Sequence, residues 1–109
     1  MSAPFTTRLR RRPDELRLGT AGEPTIAFRV QVPEVWDTVA MRAPADTPVA
    51  VVKARALEVL MPEVAGDPGA TVVKLGGWEV LDEQGSLAAA GLRAGGILLV
   101  TARRRRPVR

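Results

Sequence analysis

The sequence of 109 residues has no cysteine, no histidine and no tyrosine, and only two serines, Ser2 and Ser86. Each absence removes a class of chemistry. Without cysteine there is no disulfide framework, so a packed core must hold the fold. Thiolate and imidazole metal sites have no ligands. Neither a Ser-His-Asp nor a Cys-His nucleophile arrangement has its members. Aromatic residues are limited to Phe5, Phe28, Trp36 and Trp78. The longest apolar run of the body, residues 96–102, falls far short of the roughly 20 residues that cross a bilayer as a helix. Residues 1–13 are basic but lack the apolar segment of a secretory leader, so cytoplasmic residence is expected.

What is present is hydrophobic material, 46% of the chain, and unevenly placed charge. Residues 1–24 carry net +2, residues 25–101 net −3 and residues 102–109 net +5. A mildly acidic body thus has two basic ends. A pI near 11.0 points towards nucleic acid when taken alone. Here the basic charge is terminal and not spread over a folded face, which weakens that reading. Arg outnumbers Lys fourteen to two, which reads as GC-rich coding in a bacterium.

Residues 1–23 mix Pro, Gly, Thr and Arg without periodicity and are expected to form a flexible basic arm. The alternative is a short ordered segment over residues 14–18 that folds against the body or against a partner. A domain is expected over residues 24–102. Ile26, Phe28, Val30 and Val32 alternate with smaller or polar residues, the period of a half-buried strand. Residues 35–43 complete a hairpin. Thr47 is an expected N-cap, with Pro48 opening a helix. Val49, Val52, Ala56, Val59 and Leu60 form its apolar stripe, with Lys53, Arg55 and Glu58 read as the opposite side, and Pro62 stops it. Strands are expected at 71–75, 78–81 and 97–101, with one helical turn over 86–90 capped by Ser86. The expected core is Ile26, Phe28, Val30, Val39, Met41, the helix stripe, Val73, Leu75, Leu87, Leu92, Ile97 and Leu99.

Three stretches carry a resemblance. Met41-Arg42-Ala43-Pro44-Ala45-Asp46-Thr47 followed by Val52-Lys53-Ala54-Arg55 is one. Lys74-Leu75-Gly76-Gly77-Trp78-Glu79-Val80-Leu81-Asp82-Glu83-Gln84-Gly85-Ser86-Leu87 is the second. Gly91-Leu92 with residues 93–101 is the third. Together they resemble the ubiquitin-like β-grasp proteins over residues 25–106. The resemblance implies an α+β fold, a mixed sheet of four or five strands with one helix across one face, and a protein that binds proteins without chemistry of its own. It also implies that modifiers and sulfur carriers of this fold end in Gly-Gly. Here the last strand is followed by Arg103, Arg104, Arg105, Arg106, Pro107, Val108 and Arg109, so conjugation is not expected. Lys74 falls where ubiquitin exposes an isoleucine to its partners.

Candidate sites follow. Strand parity puts Val72, Lys74, Leu98 and Val100 on the sheet face away from the helix, near Arg29 and Gln31, as an apolar patch with a charged rim. Trp78 and Trp36 are candidate interface anchors or edges of the core. Arg103, Arg104, Arg105, Arg106 and Arg109, with Arg8 and Arg10 to Arg12, are candidate anion contacts to nucleic acid or acidic membrane, with a log–log salt slope approaching about −4 for the C-terminal five. The other reading of these arginines is a solvated tail or an arm that docks on an acidic protein. Glu79, Asp82 and Glu83 sit in a turn with no pocket partners and are not read as a catalytic pair. No cofactor, metal or small-molecule substrate is expected.

Overall fold

The computed structural model describes residues 15–103. The chain enters the fold earlier than expected. β1 (Glu15–Arg17) lies parallel to β3 (Asp37–Ala43), with Leu16 opposite Met41. Leu18 extends the contact by donating its N–H to the Arg42 carbonyl at 2.8 Å. Leu16 is 6% exposed and belongs to the core. The expected arm over 1–23 is therefore corrected from Glu15 onward, in favour of the ordered segment. Three residues are too few for a period of two to show in the sequence. Residues 1–14 of that arm lie outside the described residues.

β2 (Ile26–Val32) and β3 form the expected hairpin, in register from Ile26 opposite Ala43 to Val32 opposite Asp37. Phe28, Val30 and Val32 are buried on one face together with Val39, Met41 and Ala43. A 3-10 turn over Pro33–Val35 joins the strands and ends on Trp36, which adopts the left-handed region at φ 53°. Glu34 in this turn reaches across the sheet, as described below.

The helix, α1 (Val49–Leu60), starts one residue later than expected and without a side-chain cap. Its first N–H groups are instead satisfied from a distance. Val49 donates to the Gly85 carbonyl at 2.9 Å and Ala50 to the Glu83 carbonyl at 2.7 Å. A docked turn thus replaces the Thr47 hydroxyl as the partner of the orphan donors at a helix start. α1 buries Val49, Val52, Lys53, Ala56, Leu57 and Leu60. These are offsets 0, 3, 4, 7, 8 and 11, a full apolar stripe for a period of 3.6. Lys53 and Leu57 therefore belong to the inner face, which corrects the placement of Lys53 outside. Its ammonium is accommodated because each of its three protons finds an acceptor. Nζ lies 2.7 Å from Glu83 Oε1, 2.6 Å from the Pro68 carbonyl and 3.0 Å from the Thr71 carbonyl.

β4 (Thr71–Leu75), β5 (Trp78–Glu79) and β6 (Ile97–Ala102) complete the sheet. Its order is β1-β3-β2-β6-β4-β5, with β1/β3 and β2/β6 parallel and the remaining pairs antiparallel. The six strands exceed the expected four or five because β1 adds an edge. Gly76 and Gly77, both at positive φ, make the tight turn between β4 and β5. A short helix, α2 (Leu87–Ala90), is capped as expected, Ser86 Oγ accepting from the Ala89 N–H at 3.0 Å. Leu87 and Leu92 are buried and pin this connection to the core.

One parity expectation is reversed. Val73 pairs with Val100 and Leu75 with Leu98, and paired residues share a face. Leu98 and Val100 are each 1% exposed and lie in the core. Ile97 is exposed and Leu99 half-buried, the opposite of the expected arrangement. Ile97-Leu98-Leu99-Val100 is apolar at every position, so the strand alone does not show which residues face in. Its register with β4 and β2 decides it.

Candidate functional site

On the sheet face opposite α1, the registers bring five strands into one surface. Gln31, Leu99, Lys74 and Glu79 form one cross-strand row; Ala40, Arg29 and Ile97 form the row beside it; Thr101 and Val72 lie beyond. Of the residues expected to make a partner patch here, Lys74 is present and half-buried. Val72 is on this face but only 7% exposed. Leu98 and Val100 are inside the protein and are removed from the candidate surface. The apolar exposure of this face comes instead from Ile97.

The larger exposed apolar surface lies at the β5 edge. Trp78 is 80% exposed and Leu81 84%. Trp78 is paired with Leu75, and Val80 turns inward, its N–H donating to the Val73 carbonyl at 2.8 Å. Alternation then sends Leu81 outward. Together with Leu75, Val80, Ala89 and Ala90 these side chains line an open groove of about 290 Å³, bordered by Glu79 and Asp82. Of the residues expected to bind a partner, Trp78 is the one that lines this groove. Leu81 was missed as a site; its signal was the single residue of alternation after Val80. Trp36 is 89% exposed and stands apart at the β2–β3 turn.

Two carboxylates of this region have structural partners. Glu83 is paired with Lys53. Asp82 Oδ1 accepts from the Gln84 N–H at 3.2 Å. Among the described residues, no group of three or more acidic side chains is placed to hold a metal ion.

Glu34 acts at the other end of β6. The β2–β6 ladder stops at Gln31 opposite Leu99. Beyond it, Glu34 Oε2 accepts from Thr101 Oγ1 at 2.6 Å and from the Ala102 N–H at 2.7 Å, standing in for the missing strand. Burial acts to raise the pKa of this carboxyl, but the bonds from Thr101 and Ala102 outweigh it and hold it below its ordinary 4.5. Arg103 continues the fixed part of the chain. Its N–H donates to the Ala70 carbonyl at 2.8 Å and its Nε to the Gly69 carbonyl at 2.9 Å. Arg103 is thus a docked residue as well as a candidate anion contact. Arg104, Arg105, Arg106 and Arg109 lie outside the described residues.

Among solved structures, a ubiquitin-like domain from an Arabidopsis thaliana protein superposes with a TM-score of 0.61, covering 83% of this chain and 89% of that one at 12% identity. The fold is the ubiquitin-like β-grasp. The ubiquitin of Caldiarchaeum subterraneum gives 0.60 at 13% identity, covering 75% of this chain and 98% of its own. The ubiquitin-like domain of Plasmodium falciparum Dsk2 gives 0.59 at 18% identity, covering 73% and 100%. No family model matches the sequence, and no curated protein matches it. β1 lies at the sheet edge opposite the Trp78 groove.

Proposed function

We propose that this chain is a non-enzymatic protein-interaction module of ubiquitin-like fold, acting in the cytoplasm. Its partner surface centres on Trp78 and Leu81 and extends over the β5 edge to Lys74 and the rim of Val72. The observation that carries this reading is the exposure of two large apolar side chains, 80% and 84%, over one groove. Tryptophan at the centre of an apolar patch is the residue type that most often anchors an interface. The segment after β6, where conjugated proteins of this fold carry their diglycine, is arginine-rich in this chain, which supports an unconjugated role.

Affinity capture from the native cell, quantified by mass spectrometry, tests the surface. Trp78→Ala and Leu81→Asp are each expected to deplete the same partner by about tenfold or more, as loss of a hot-spot residue does. Removal of residues 104–109 is expected to leave that partner bound. If both groove variants retain every partner, while tail removal or moderate salt abolishes capture, the arginines are the binding element and the groove reading is wrong.

A further inference from the structure

The groove beside Trp78 is lined by two carboxylates and by no cation, Lys74 lying opposite Glu79 on the neighbouring strand. Its lining includes Glu79 and Asp82 but no Lys or Arg. Leu75 and Val80 supply apolar lining, and α2 contributes only the small side chains of Ala89 and Ala90. The chemistry that fits is an aliphatic side chain flanked by basic residues.

One segment of this chain has that composition and starts nearby. Arg103 is fixed to Gly69 and Ala70, just ahead of β4. The stretch after β5 runs back along β4 towards that same end, as the bond from Val80 to Val73 shows. β6 and β5 flank β4 on its two sides, and Val80 is bonded to Val73, three residues along β4 from the Ala70 that holds Arg103, so two strand spacings sideways and three residues along the strand put Val80 about 14 Å from the exit of the chain. Arg104-Arg105-Arg106-Pro107-Val108-Arg109 follows. Val108 is its aliphatic residue, with basic side chains close on both sides. Five residues from Arg103 span up to about 17 Å. A tether this short holds its end at millimolar effective concentration, so weak contacts suffice.

We propose that residues 104–109 dock intramolecularly into this groove, Val108 over Leu75 and Val80 and the flanking arginines at Glu79 and Asp82. The segment then competes with a protein partner for Trp78 and Leu81. The competition rests on the partner surface proposed above; the docking does not.

Trp36→Gly leaves Trp78 as the sole tryptophan in a chain without tyrosine, so its fluorescence reports on the groove in the full chain. Acrylamide quenching of Trp78 is expected to rise about twofold on adding Val108→Asp with Arg106→Glu, and to rise likewise when salt screens the charges. Quenching indifferent to both changes overturns the proposal. Protection that grows with protein concentration also overturns it, because the tail would then occupy a second copy. Capture experiments separate the two readings. Removal of residues 104–109 should raise partner capture severalfold if the tail competes. Tail-sensitive quenching together with capture that ignores Trp78 would sink the partner surface and the competition, while leaving the docking. Tail-insensitive quenching together with capture that requires Trp78 would do the reverse.

Discussion

Leu98 and Trp78 show how burial divides apolar residues into those that hold the fold and those free to bind. Leu98→Ala is expected to lower stability by about 2–5 kcal/mol in urea titration, the usual loss for a buried leucine. Trp78→Ala should change it by less than about 0.5 kcal/mol, as exposed positions do. A variant that loses binding through Leu98 would therefore report unfolding, not recognition. Lys53 makes the same point with charge. Lys53→Met leaves Glu83 and two carbonyls without their donor and should cost about 3 kcal/mol. Adding Glu83→Leu should recover most of that loss, since a buried pair replaced as a whole is close to neutral. A double-mutant cycle measures the difference. Glu34 adds a pH dependence. Its folded pKa lies below that of the unfolded chain, so its contribution is complete above pH 4.5 and is lost as pH falls through the lower folded value. Glu34→Gln should be less stable than the parent at neutral pH, and the gap should close in acid denaturation profiles.

At the level of elements, the hairpin, α1, β4, the Ser86 turn and the Gly76-Gly77 turn were legible in the sequence. Each carries its own local signal: alternation, a 3.6-residue stripe, a capping serine or paired glycines. What was not legible lay in the relation between elements. β1 is too short for a pattern and gains its place from pairing with β3. The inward side of β6 follows from registers with β2 and β4, because its own residues are apolar throughout. Lys53 was misread because polarity was given more weight than its position in the stripe. The Trp78 half of the candidate site was readable from composition, and Leu81 required the bond at Val80. Ser86→Ala should cost about 1 kcal/mol, as loss of a cap does, and more if its effect reaches the helix start through the turn ending at Gly85. Thermal unfolding measures this.

Across the whole molecule, the docked turn and the buried ion pair bind α1 to the start of β4 and to the turn ahead of α2, so these three parts of the fold are coupled. Urea unfolding followed by far-ultraviolet circular dichroism and by tryptophan emission should give coincident transitions, the mark of two-state behaviour. The enclosure of Lys53 has a further consequence. The chain holds two lysines, and one of them is sealed behind three acceptors. Amine-reactive reagents applied to the native protein should therefore modify the Lys74 side chain and spare Lys53. Dyes and photo-crosslinkers can thus be placed on a single side-chain amine beside the proposed contact surface without engineering the sequence. Slow labelling of Lys53 would then act as a clock for spontaneous opening of the fold.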